Sequence, residues 1–309
     1  MAAITAKDVA ALRAQTGCGM MDCKKALVET DGNFDEAVKV LREKGLAKAD
    51  AKQSRIAAEG IVDIYSCDCC GLTAMIEVNT ETDFVAKNDG FKAFVKNLLK
   101  TILKNKPADV EALLACNCEG VDTTVEAELK NQTFVIGEKI SIRRFVIVEG
   151  TVATYIHGAG AAGVIVKFEA DDAVKAHANF AEVTKNIALQ AAAMNCLYTT
   201  REDVPQSVLD EEKAILLAQI ANDPKNANKP DAIKEKMVLG RINKYYETNC
   251  LAEQTYVKDE DLTVTKYLAN EAKVMGGELK LVSFVRYEKG EGLEKREDNF
   301  AEEIANMIK

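Results

Sequence analysis

Five of the nine cysteines lie in two tight groups, Cys67-Asp68-Cys69-Cys70 and Cys116-Asn117-Cys118. Thiolates ligate zinc, and a C-x-x-C pair can cycle between thiol and disulfide. Structural zinc sites usually present C-x2-C pairs, which C-x-C-C and C-x-C match poorly. The single C-x-x-C spacing, Cys67 to Cys70, falls in a turn between two strand-like runs. The N-terminus, MAAITAKDVAALRAQ, has no apolar leader core, and the cysteine count is odd. Reduced thiols, no bound metal and no cofactor are therefore expected. The two histidines, His157 and His177, are far apart in sequence and have no evident partner, which suits a structural role better than acid–base chemistry. HGAGAAG (157–163) superficially resembles a phosphate loop, but it lacks G-x-x-x-x-G-K-[ST] and leads into a strand. G-x-S-x-G is absent as well. Without convergent reactive groups, the chain reads as a binder of other proteins and not as an enzyme.

The stretch TETDFVAKND (80–89) is of a different kind. It sets a large apolar ring, Phe84, beside Asp83 at the joint between a strand pattern and a helix pattern. Two readings are open: Phe84 is a hydrophobic staple closing the following helix, or it is displayed to a partner.

Composition narrows the partner. The 309 residues carry a net charge of −9, which argues against a general nucleic-acid binder because phosphates call for a basic face. Residues 1–55 hold ten basic and eight acidic side chains, or +2, and the remainder holds 30 against 41, or −11. A near-neutral head on an acidic body suggests two different contact surfaces. No run approaches 18 apolar residues, so no membrane span is expected and the working compartment is the cytoplasm.

The elements follow from periodicity. Residues 5–45 read as three short helices: one opened by Thr5 and Asp8 and stopped at Gly17, one over 22–29, and one capped by Asn33 and ended by Gly45. Residues 46–59 read as a partly helical linker. GIVDIYS and LTAMIEV then alternate as two strands of a hairpin. After the TETDFVAKND joint, Phe91, Phe94, Val95, Leu98, Leu99, Ile102 and Leu103 keep a helical stripe. EKISIRRFVIVEG, TVATYIHG and GVIVKFEA are strands, and a helix is predicted over 172–193. FKAFVKNL (91–98) echoes FAEVTKNI (180–187) at a shift of 89 residues, which places Asp83 on Asp172 and Phe84 on Ala173. Two related strand–strand–helix halves are the expectation. Residues 206–249 predict a helical hairpin whose tip, NDPKNANKP, is punctuated by Asn and Pro, either packed on the body or projecting. ELKLVSFVRY returns to strand, and a last amphipathic helix carries Phe300, Ile304, Met307 and Ile308 on one face.

Two stretches carry a resemblance to a known family. TGCGMMDCKKALVETDGNFDEAV (16–38) resembles the N-terminal module of the elongation factor Ts family, and VNTETDFVAKND (78–89) resembles its core motif. VIGEKISIRR (135–144) and YIHG (155–158) match two further stretches in the right order. The family implies an α+β protein. Its parts would be a three-helix module similar to ubiquitin-associated domains, two related α+β core subdomains with antiparallel sheets, a protruding helical coiled-coil hairpin, and a C-terminal helical module. On this chain the divisions would fall at 1–55, 56–145, 146–288 with the hairpin 206–249 inserted, and 289–309. The implied activity is guanine nucleotide exchange on the GTPase elongation factor Tu, with no direct nucleic-acid or membrane partner. A homodimer formed through the hairpin is left open. The implied contact residues are Thr82, Asp83, Phe84 and Val85, with Met20, Met21 and Lys24 on the N-terminal module and Ile136, Gly137, His157 and Val257 elsewhere. Thr80–Glu81 and the glycine-rich HGAGAAG depart from the family pattern, and the 67–70 cysteine cluster is not part of it. The alternatives are an adaptor that binds without exchange and a thiol- or zinc-dependent enzyme built on Cys67–Cys70.

Overall fold

The computed structural model describes residues 4–223, 226 and 229–294. The chain divides into two compact units. Of the described residues, the first takes those up to 147, 158–162 and 287–294; the second takes those within 148–157 and 163–286. The architecture is α+β, and among the described residues no helix is long and apolar enough to cross a membrane.

The first unit opens with α1 (Ala6–Thr16), α2 (Met20–Glu29) and α3 (Phe34–Asp50). Thr5 and Asp8 form the predicted capping box: the Thr5 N–H donates to Asp8 Oδ2 at 2.9 Å, and the Asp8 N–H to Thr5 Oγ1 at 3.3 Å. Asn33 caps α3 by accepting from the Glu36 N–H at 3.2 Å. Leu12, Cys23, Leu27, Ala37 and Leu41 close a small core of their own. Gly45 does not end the third helix as the sequence suggests, because α3 runs on to Asp50. A Cβ at residue 45 would sit 3.0 Å from the Phe134 ring, so this glycine admits an aromatic of α7 (Val125–Ile136) and tolerates the cost of a helix-interior glycine, about 1 kcal/mol.

Strands β1 (Glu59–Cys67) and β2 (Leu72–Thr80) pair antiparallel from Glu59↔Thr80 to Cys67↔Leu72. β3 (Ile140–Glu149) lies on the other side of β2, giving the order β1-β2-β3. A short helix α4 (Asp83–Lys87) and the long α5 (Asp89–Asn105) follow β2, and all seven predicted apolar residues of α5 are buried against the sheet. Helix α6 (Val110–Ala115) and α7 complete the unit.

β2 is buried on both faces, not only the predicted Leu72/Ala74/Ile76/Val78 face. Its other face carries Glu77, whose side chain is fully buried. Glu77 accepts from Arg143 at 3.0 Å, Arg144 at 2.7 Å, the Gly290 N–H at 2.8 Å and the Asn79 amide at 3.1 Å. The HGAGAAG turn serves this unit too: the Gly160 carbonyl accepts from the Val62 N–H at 2.8 Å, and Ala161 accepts from the Lys289 N–H at 2.9 Å. Gly160 allows this close backbone approach to β1, since an added Cβ would sit 3.0 Å from Ile61.

The second unit has a sheet of order β4-β5-β8, from β4 (Val152–His157), β5 (Ala162–Ala170) and β8 (Leu279–Glu288). The helix predicted over 172–193 is two helices, α8 (Asp172–Lys175) and α9 (Phe180–Ala193). The chain turns at 177–179, where His177 Nδ1 accepts from the Asn179 N–H at 3.2 Å. Each unit thus contains a strand, a short helix begun by an aspartate and a longer helix, and in each the aspartate pairs with a lysine of its own short helix. α10 (Gln206–Asn222) and α11 (Asp231–Asn249) form the hairpin. Leu216, Ile220, Val238 and Ile242 make a cluster separate from the sheet core. The β6 (Thr255–Tyr256)/β7 (Asp259–Thr263) ribbon leads into α12 (Val264–Met275), which sequence reading missed. The predicted last helix lies outside the described residues.

Burial pushes the Glu77 carboxyl up, but the hydrogen bonds from Gly290, Arg143, Asn79 and Arg144 outweigh it and leave it below the ordinary value. A depressed folded pKa gives stability that is whole above the ordinary carboxylate range and is lost as pH falls through the depressed value. Glu77→Gln is therefore expected to lose about 3–5 kcal/mol in urea unfolding at neutral pH, since it strands two partly buried guanidinium groups. The gap to wild type should shrink as the pH is lowered. A gap that does not change with pH would show that the charge of Glu77 is not what holds this unit.

Candidate functional site

The joint after β2 is braced from several sides. The Glu138 carboxylate accepts from the Thr82 N–H at 2.9 Å and from Thr82 Oγ1 at 2.6 Å. Thr80 Oγ1 donates to the Thr82 carbonyl at 2.8 Å. Glu81 accepts from the Lys139 N–H at 2.6 Å and from Arg55 at 3.2 Å. Asn88 ends the segment by capping α5, accepting from the Phe91 N–H at 3.1 Å. Thr80 and Glu81, which depart from the family pattern, are thus part of the brace.

Within this frame α4 turns Val85 into the core, at 6% exposure, and Phe84 outward, at 77%. No other large apolar side chain among the described residues is so exposed. Phe84 is therefore not a staple. Asp83 pairs with Lys87 at 2.6 Å, and the Lys87 ammonium stands 5.6 Å from the centre of the Phe84 ring. The Lys87 hydrogen bond holds the Asp83 carboxyl below its ordinary value. A groove of about 690 Å³ runs beside the ring, lined by Phe84, Val85, Gly17, Val135 and Ile136 among others.

The structure brings Phe84, Val85 and Ile136 to one groove, with Gly137 adjacent as the left-handed cap of α7 at φ 90°. Met20 and Met21 are exposed on the first turn of α2, at 46% and 62%, so neither is a core methionine. Lys24 is exposed one turn on. His157 and Val257 belong to the second unit. His157 ends β4 with Nδ1 3.2 Å from the Tyr155 hydroxyl, and Val257 is exposed while its N–H donates to Gln190 at 3.1 Å. Glu138 and Lys139, which fix the joint, were missed by sequence reading. They sit inside the VIGEKISIRR stretch, but nothing local marks them as partners of residues nearly 60 positions away.

Cys67, Cys69 and Cys70 gather at the opposite end of the β1–β2 hairpin, all three sulfurs within 4.8 Å of one another. Cys116 and Cys118 are not part of that group.

The family model for elongation factor Ts matches residues 81–291. Elongation factor Ts of Syntrophotalea carbinolica is 47% identical over 312 aligned positions, covering 99% of each chain. That of Clostridioides difficile is also 47% identical, covering 100% of each, and that of Clostridium kluyveri is 45% identical, covering 99% of each. The chain belongs to the elongation factor Ts family.

The brace makes a prediction independent of any partner. Hydrogen bonds to a charged group contribute about 1.5–3 kcal/mol, so Glu138→Ala is expected to speed amide exchange at Thr82–Phe84 about tenfold or more. Exchange at Leu98 and Leu99 should not change. Uniform acceleration through the unit, or none at Thr82, would show that Glu138 does not hold the joint.

Proposed function

We propose that this chain binds the GTPase elongation factor Tu and accelerates release of its bound GDP, with Asp83 and Phe84 as the inserted wedge. Family membership supports the activity. The observation that carries the wedge is Phe84: a large ring, 77% exposed, on a turn that Glu138, Thr80 and Asn88 hold in place. An exposed aromatic on a rigid support is what a partner pocket can use as an anchor.

The mechanism follows from the chemistry of the GTPase site. Phe84 enters an apolar gap between two helices near the bound Mg²⁺. Burying the ring yields about 1.5–3 kcal/mol, available to displace elements that hold the metal and the phosphates. Mg²⁺ demands near-ideal octahedral oxygen ligands, so a small displacement weakens it strongly. Backbone N–H groups likewise cradle phosphates only in one orientation. Coupling is reciprocal: nucleotide weakens the factor as much as the factor weakens nucleotide. The factor therefore speeds equilibration and catalyses no bond change.

The same reading assigns the exposed face of Met20, Met21 and Lys24 to a docking contact of the three-helix module, which is similar to ubiquitin-associated domains. Thr82, Val85, Ile136 and Gly137 flank the wedge, and His157 and Val257 contact other parts of the GTPase. It divides the chain into the docking module (1–55), two related core subdomains (56–145 and 146–288, the second bearing the hairpin 206–249) and a C-terminal module (289–309). Nucleic acid and membrane have no part in it.

Phe84→Ala removes the ring and should leave the fold intact, since the side chain is exposed. Stopped-flow release of a fluorescent GDP analogue should then show stimulation reduced about ten- to hundredfold, the equivalent of the lost burial. Urea unfolding should match wild type. Full stimulation by Phe84→Ala would move the wedge elsewhere. Binding of wild type without any stimulation would leave an adaptor.

A further inference from the structure

Free cysteine is ordinarily a buried residue, and most of those in this chain conform: Cys18, Cys23, Cys118, Cys196 and Cys250 are buried, and Cys116 is half-buried. Cys69 and Cys70 are the two that are exposed, and the half-buried Cys67 sits beside them. The nearest sulfurs, Cys67 and Cys69, are 2.9 Å apart, and all three lie within 4.8 Å of one another. Cys67 packs at the edge of the core, but the exposed Cys69 and Cys70 add little burial to the fold, so packing does not account for those two thiols.

The platform under it is ordered. The hairpin keeps its register up to the last pair, Cys67↔Leu72. Ser66 and Thr73 join across the strands at 2.9 Å, and the Gly71 N–H closes the turn on the Cys67 carbonyl at 3.0 Å. Gly71 has φ +64°, which lets the chain reverse within the four residues Asp68–Gly71. Leu72, directly after the turn, is buried.

We propose that this turn is a binding site for a monovalent copper ion, held by the thiolates of Cys67, Cys69 and Cys70. Soft thiolate ligands select Cu(I), zinc or iron–sulfur clusters. A thiolate–metal bond of about 2.3 Å puts three sulfurs around one ion about 4 Å apart, so the observed spacing needs only side-chain rotation. The number of ligands disfavours structural zinc, and the all-sulfur set favours Cu(I) over three-ligand zinc, whose sites include histidine. Structural zinc takes four protein ligands, and among the described residues no His, Asp or Glu joins the three sulfurs, not even Asp68 of the same turn. Cu(I) has a filled d shell and is content with three sulfurs in a plane. The group is also open to solvent, which admits the ion and hydrates the net negative charge of the loaded site. Binding exchanges the cation for the thiol protons, with no change in oxidation state of metal or sulfur.

The site is remote from the exchange surface. β2 runs from Leu72, beside the cluster, to Thr80, beside the joint, a span of about 26 Å at strand rise. Copper binding and nucleotide exchange are therefore separable, and the proposal does not rest on the exchange reading.

The experiment titrates the reduced, full-length protein with Cu(I) under anaerobic conditions against a chromophoric Cu(I) chelator. Wild type is expected to withhold one equivalent from the chelator, and X-ray absorption at the copper edge is expected to show three sulfur neighbours. The triple variant Cys67→Ser/Cys69→Ser/Cys70→Ser should lose that equivalent with unchanged circular dichroism. Cys116→Ser/Cys118→Ser should keep it. Copper left wholly with the chelator overturns the proposal, as does copper retained by the triple variant or bound by only two sulfurs. A zinc ion that the wild type binds and that equimolar Cu(I) does not displace would also overturn it.

Discussion

One buried carboxylate organises the first unit. Glu77 lies in the middle of the central strand with no exposed surface, where an unpaired charge would be very costly. It is tolerated because Arg143 and Arg144 arrive from β3 and the Gly290 N–H arrives from the end of the chain. Those partners are 66, 67 and 213 residues away in sequence. The pairing thus works as a specification: β3 must lie beside β2 with its arginines inward, and residues 288–291 must cross the covered face. Gly290 is held to its residue type by the same packing, since at φ +68° an added Cβ would collide with the Ala58 carbonyl. Arg144 extends the network, with its guanidinium 4.1 Å from the Tyr287 ring centre and 3.0 Å from Glu291.

The consequence reaches the joint after β2. Once β3 is fixed, the residues just ahead of it, Glu138 and Lys139, are fixed too, and these are the groups that hold Thr82 and Glu81. The position of Phe84 is therefore set by tertiary pairing. Its own helix is only five residues long and could not hold it in isolation.

This explains what the sequence could and could not disclose. Local signals were legible: the Thr5–Asp8 box, the Asn33 cap, the seven-residue stripe of α5 and the strands β3, β4 and β5 are all readable from spacing. Helix α12 was readable too, since Val264, Leu268, Ala272 and Met275 keep helical spacing behind a Thr263 cap, and it was overlooked. Helix α7 offered less. Its apolar residues are divided between two cores, Val125, Leu129 and Ile136 facing the sheet while Phe134 and Val135 face the three-helix module. A helix that serves two cores shows no single stripe. Gly45 misled for a related reason, because its role depends on Phe134 and not on its neighbours in sequence. At the joint, the residue types left staple and display both open and leaned towards the staple. Motif resemblance favoured display, and the exposure of Phe84 rules out the staple. The brace that makes the display rigid depends on residues too distant for any local pattern to reveal.

Rigidity matters to the energetics of the proposed exchange. Burial of the Phe84 ring in a partner would supply about 1.5–3 kcal/mol at most. Fixing the backbone of a single residue costs about 1–2 kcal/mol, so a loose loop of several residues would consume that whole amount on ordering itself. In this chain the ordering cost is met during folding, by Glu138, Thr80, Asn88 and the buried anchor Val85. The free protein instead carries an exposed aromatic ring, which costs little beyond the burial it forgoes. The free energy of that ring is then available to the encounter with a partner. Under the proposed function a wedge would need it undiminished, and a phenylalanine mounted on so many hydrogen bonds would deliver it so.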